Sequence, residues 1–240
     1  INDACVVHIA LLYIVKSAVQ RRILRPSSSR MYHPVWSIRR NLMNAEMQPL
    51  FWRISDQDKS GFEAVSLLMP AGMAGEDPAE FPTEVCFRSN RSTTHPVDLR
   101  WSEEDSDLFM NLLDRLMDAE DGEDIEVDLS DSVIQGIVQL VALARFKTPW
   151  PTDELTGDDF ITEREELEIG DLVALNTRFG FALAVIVGLD SIDATCVLMD
   201  SLMSGDELQV PDHSLLVINR HCVLPASFAD SDLGEDAVFH

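Results

Sequence analysis

Asp56-x-Asp58-x-Ser60-Gly61 sets three oxygen-bearing side chains at alternate positions ahead of a glycine, the first half of a calcium-binding loop. In such a loop the oxygens wrap the ion and the glycine permits a sharp turn. The second half departs from the pattern. Leu67 stands where a bidentate Glu belongs, and the charged Glu63 fills another loop position. The flanks, 50–54 and 62–69, have strand-like patterns, and Asp, Ser and Gly are also what a hairpin turn needs. The sequence therefore predicts a hairpin turn, with Asp56, Asp58 and Ser60 as the oxygens a calcium ion would use.

Thiols and imidazoles are the next candidates. Asp212-His213 and His221-Cys222 could bring two imidazoles and a thiolate together, one group short of a tetrahedral zinc site. Cys86 and His95 could form a nucleophilic pair, but Cys86 lies in an apolar strand pattern and no orienting motif surrounds it. Cys5, Cys86, Cys196 and Cys222 show no Cys-x-x-Cys spacing, which predicts free thiols in a reducing compartment. Gly-x-Ser-x-Gly, P-loop and Gly-x-Gly-x-x-Gly patterns do not occur. No cofactor is expected.

Charge is the strongest compositional signal. The formal net charge is −24, and it is unevenly spread. Residues 1–45 carry seven Lys/Arg against Asp3, a balance of +6; the remainder carries eleven against forty-one Asp/Glu, a balance of −30. Such a body repels nucleic-acid phosphates and anionic membranes, so a macromolecular partner of it is expected to be a basic protein. Solubility alone would also account for the charge. The acid runs 103–107, 118–131 and 153–168 offer Glu103, Glu104, Asp107, Asp121 and Asp124 to such a partner. A sharper alternative is a surface that imitates nucleic acid and inhibits a DNA- or RNA-binding protein. Phe179 and Phe181, flanking Gly180, form a second partner-binding candidate: an aromatic rim for a peptide or methyl-lysine group, or else a plug.

These residues need elements to hold them. With 46% hydrophobic residues the chain is globular. Residues 1–45 form a basic segment whose apolar run 4–15 is too short to span a bilayer. It reads as an amphipathic helix, as sequence outside the functional protein, as an organellar presequence or as the tail of a truncated membrane helix. Only the last would bring membrane contact. A short helix is expected over 32–43.

Residues 46–147 read as an α+β domain, a mixed or antiparallel sheet under two helices. Its strands are expected at 50–54, 62–69, 83–89, 97–101 and 125–129, with a loop over 70–82. Ser102 and Asp105 make a capping box for a helix that carries Leu108, Phe109, Leu112, Leu113 and Leu116 on one face. A second helix should run to Phe146. Residues 148–166, acidic and Pro-containing, read as a linker. Short β-rich runs parted by Gly, Asp and Ser fill 167–226, which reads as a small SH3-like or Tudor-like β-barrel. Residues 227–240 are expected to be a loose acidic tail. The function this predicts is non-catalytic macromolecular interaction in the cytoplasm, ahead of the nucleic-acid mimic and of an enzyme of unrecognised type.

Overall fold

Alternating apolar and polar residues build the first sheet, and two helices accompany it in the same unit. The computed structural model describes residues 50–58, 61–69, 79–88, 95–116, 132–152, 155, 157 and 166–230. The chain divides into two compact units, the first ending at Phe146 and the second beginning at Lys147. The expected helix over 32–43, the strand over 125–129 and most of the acid runs 118–131 and 153–168 lie outside the described residues. So do most of the expected tail and all of the basic segment. No helix among the described residues is long and apolar enough to cross a membrane.

In the first unit β1 (Phe51–Ile54), β2 (Phe62–Met69), β3 (Ala79–Arg88) and β4 (Val97–Arg100) form an antiparallel sheet of order β3-β2-β1-β4. Trp52 sits at its centre, opposite Leu67 on one side and Leu99 on the other. Trp52, Val65, Leu67 and Val85 are buried, and β2 is buried at Ser66 and Leu68 as well, beyond a strict two-residue period. β3 starts earlier than expected and includes Pro82, which cannot donate to a ladder. The register shifts there, between Ala64 and Ser66. Thr83 Oγ1 fills the irregularity by donating to Val65 O at 2.7 Å. The Glu84 N–H instead donates to Gln139 Oε1 at 3.0 Å.

The helices are α1 (Glu103–Leu116) and α2 (Ser132–Phe146). Ser102 and Asp105 form the expected capping box, with Ser102 N donating to Asp105 Oδ2 at 2.9 Å and Asp105 N to Ser102 Oγ at 3.2 Å. Leu112 and Leu113 are fully buried. α2 packs on α1 and β3. It is buried at Ile134 and then without interruption from Gly136 through Leu143, so it serves as a central element of this core.

The second unit is also antiparallel. It comprises β5 (Leu172–Thr177), β6 (Gly180–Leu189), β7 (Asp193–Leu198), β8 (Leu202–Ser204), β9 (Glu207–Val210) and β10 (Leu215–Asn219). A 3-10 turn (Arg220–Cys222), β11 (Val223–Pro225) and α3 (Ser227–Asp230) complete it. The main sheet has the order β10-β7-β6-β5-β11, while β8 and β9 form a separate ribbon. One layer of the core comes from alternate residues: Val173, Leu175, Ala184, Ile186, Cys196, Leu198, Leu216 and Ile218. β6 is buried continuously from Ala182 to Val187, as its unbroken apolar run suggests.

A closed barrel does not form among the described residues, because β10 and β11 do not pair. Residues just before this sheet bond to β10. Trp150 N donates to Leu215 O at 2.7 Å and Thr152 Oγ1 to Val217 O at 2.8 Å, so the free edge of β10 is occupied. Further along, Gly157 N donates to Asn176 O at 3.2 Å and Arg178 N to Leu155 O at 3.0 Å. Leu155 enters the core. Trp150 and Thr152 thus bond to β10, while Leu155 and Gly157 bond beside the end of β5.

Candidate functional site

The acidic candidates are placed by the capping of α1. One helical turn directs Asp105 inward and leaves Glu103, Glu104 and Asp107 exposed. Asp105 Oδ2 accepts the Trp52 indole N–H at 3.1 Å in addition to the Ser102 amide. The Arg145 Nε lies 4.0 Å from Asp105 Oδ1. Trp52 stacks on Trp101 with centroids 4.8 Å apart and meets Phe146 edge-on at 5.5 Å. Trp101 in turn donates its indole N–H to Ser106 Oγ at 2.8 Å. The first turn is thereby bolted to the sheet. Its outward carboxylates stand on a backbone held by the packing behind them.

Ionisation of Glu104 is favoured as well. Hydrogen bonds from Ser102 and from its own backbone hold the Glu104 carboxyl below the usual carboxylate range, with Arg145 adding a smaller attraction. Acids in a first turn also complement the helix dipole, so part of this arrangement serves α1 itself. Asp121 and Asp124 lie outside the described residues. What the described face offers is three exposed carboxylates on a rigid support.

The two aromatic candidates have different ring and charge neighbours. Gly180, at φ +111°, and Thr177, whose Oγ1 donates to Gly180 O at 2.7 Å, set the turn that carries Phe179. Phe179 packs partly against the core, with the Arg178 guanidinium 4.6 Å above its ring. Phe181 meets Phe228 at 5.7 Å and 61°. Sequence reasoning missed Phe228 because it falls in a stretch read as a loose tail. Ser227–Asp230 is instead a helical turn lying against β5 and β6. The signal available was a lone aromatic among small and acidic residues.

The calcium candidates occupy the β1–β2 hairpin. Asp58 N donates to Phe62 O at 2.8 Å, and Phe62 N donates back to Asp58 Oδ1 at 2.9 Å. Gly61, at φ +82°, completes the turn. Asp58 therefore commits a carboxylate oxygen to its own turn, and Leu67 is buried in β2. Ser60 lies outside the described residues. Among the described residues no group of three His, Cys, Asp or Glu side chains converges as a metal would require.

The thiols differ from each other. Cys86 is exposed although its strand pattern is apolar: it follows the buried Val85, and the strand period turns it outward, opposite Ala64. It helps line a shallow depression of about 400 Å³ with Ser55, Asp58, Phe62 and Ala64. His95 precedes β4, at the far edge of the sheet from β3, so strand spacing of about 4.8 Å keeps the two apart. Burial pushes the Cys196 thiol up to about 12, leaving it protonated and inert at neutral pH. His213 is buried in a left-handed turn (φ 55°), whereas His221 is exposed.

No protein-family model matches the chain, and no curated protein sequence matches it.

Proposed function

We propose that this protein is a non-catalytic, acidic interaction protein whose partner is a basic protein, engaged through carboxylates that include Glu103, Glu104 and Asp107. The observation that carries this reading is the excess of forty-one Asp/Glu over eleven Lys/Arg across residues 46–240. Its support from geometry is the rigid mounting of three of those acids on the first turn of α1. Electrostatic complementarity of this kind steers encounter and suppresses wrong partners. The second unit is proposed as an SH3-like module. In its favour are a five-stranded antiparallel order and a 3-10 turn before the last strand, which returns to pair with the first strand of the sheet. Those features bear on fold alone, and folds of this kind serve many functions. A cytoplasmic site of action is part of the proposal.

The test is to isolate a partner with the full chain and measure its affinity at two ionic strengths. Wild type, Glu103→Gln/Glu104→Gln/Asp107→Asn and Phe181→Ala are compared. Binding should weaken steeply with salt, as screening within about 10 Å at 0.1 M predicts, and the triple variant should bind more weakly. Phe181→Ala should change little. Salt-insensitive binding that depends on Phe181 would refute the acidic face. Competition by DNA for the captured partner would identify it as a nucleic-acid-binding protein and turn the reading to the mimic.

A further inference from the structure

β7 and β10 are antiparallel neighbours, with Leu215 opposite Val197. A two-residue turn suffices to join such strands. The chain instead uses residues 199–214 and folds them into the β8–β9 ribbon, outside the main sheet. Leu202 and Val210 anchor the ribbon in the core. Met203 and Leu208 stand opposite each other and remain 43% and 53% exposed. Connecting β7 to β10 requires neither the ribbon nor a pair of apolar side chains in water, and ordered loop structure beyond what connection requires is where binding residues concentrate.

The surroundings specify the partner. From Phe179 to Asn219 there is no Lys or Arg, while Asp190, Asp193, Asp200, Asp206, Glu207 and Asp212 are all present. On the ribbon itself Asp206 and Glu207 are exposed at the tip, and Asp200 is exposed beside its first strand. Lys147 supplies a cation at the base, where its ammonium donates to His213 O at 3.1 Å. An apolar pair bordered by carboxylates is complementary to a segment with apolar residues on one face and Lys or Arg beside them. A second copy meeting it ribbon to ribbon would set acid against acid.

We propose that the β8–β9 ribbon is a docking element for a basic amphipathic segment of another protein, with Met203 and Leu208 as its apolar contact. This rests on the acidic-interaction reading and adds the surface that gives it selectivity beyond charge. The test uses two fluorescent probes of equal charge, an amphipathic Leu/Lys peptide and an oligolysine, titrated into the full chain and its Met203→Ser/Leu208→Ser variant. Wild type should prefer the amphipathic probe by about ten-fold or more, since burying two apolar side chains adds to the charge attraction. The variant should lose that preference while binding oligolysine as wild type does. Both altered residues are exposed, and thermal melting checks that the fold is retained; Leu208→Lys gives a second variant with the same expected loss of preference. Salt-sensitive oligolysine binding with no amphipathic preference, or a preference that survives in both variants, overturns the docking element and leaves the acidic reading standing. Failure of both probes to bind overturns both. A wild-type dimer that the double variant abolishes also overturns the proposal, by making the ribbon a self-association surface.

Discussion

Replacing Asp105 with alanine should cost the first unit a large part of its stability, for reasons that can be separated. The carboxylate is 4% exposed and holds three groups: the Trp52 indole N–H, the Ser102 amide and, at 4.0 Å, Arg145. Without it the fully buried Trp52 keeps a donor with no acceptor at that position, which costs about 1–3 kcal/mol. Loss of the reciprocal bond in the capping box adds about 1 kcal/mol, within the range found for cap residues. The Arg145 side chain is 43% exposed, so its ion pair is screened and contributes about 0–1 kcal/mol. The expected total is about 2–5 kcal/mol against a stability of roughly 5–15. Urea unfolding followed by circular dichroism and tryptophan fluorescence measures it. Trp52→Phe supplies the control, because it removes the donor that Asp105→Ala would orphan. The two changes should couple by about 1–2 kcal/mol in a double-mutant cycle. An Asp105→Ala midpoint within about 0.5 kcal/mol of wild type, or strict additivity with Trp52→Phe, would refute the account of this cluster.

Gly157→Ala should destabilise the second unit by about 1–3 kcal/mol, because the added Cβ would lie 2.5 Å from the Oδ1 of the buried Asn176. Its melting temperature should fall and residues 147–157 should become easier to cleave; an unchanged melt with unchanged protection would show that this segment is not held against β5 as described. At low pH the Arg53–Asp98 pair gives a signed expectation. The hydrogen bond from Arg53 holds the Asp98 carboxyl below its ordinary value, so its extra stability is complete above the unfolded value of about 3.9 and disappears as pH falls through the lowered folded value. Both side chains are partly exposed, which limits the effect to below about 1 kcal/mol. The difference in urea midpoint between wild type and Asp98→Asn should therefore be present at pH 6 and vanish toward pH 2, and a pH-independent difference would contradict it.

What the sequence by itself determined is local. The capping box at Ser102 and Asp105, the Leu112–Leu113 face and the Asp58–Gly61 hairpin all depend on residues within a few positions of one another, so spacing was enough to find them. The period of β6, apolar without interruption, likewise announced burial of both parities. Charge, being a sum over residues, was legible in full.

Only the tertiary structure decided which groups meet across long separations. Trp52 and Asp105 are 53 positions apart, and no local pattern marks the Asp as an acceptor for that indole. Phe181 acquires Phe228 as a neighbour through a helical turn that composition presented as a loose tail. Cys86 lies in an apolar strand pattern, yet the alternation of β3 turns it out. The open edge of the second sheet was settled in the same way. Strand propensity is a property of each segment, but which groups meet a sheet edge is set by the fold, and here the Trp150 amide and the Thr152 hydroxyl reach β10.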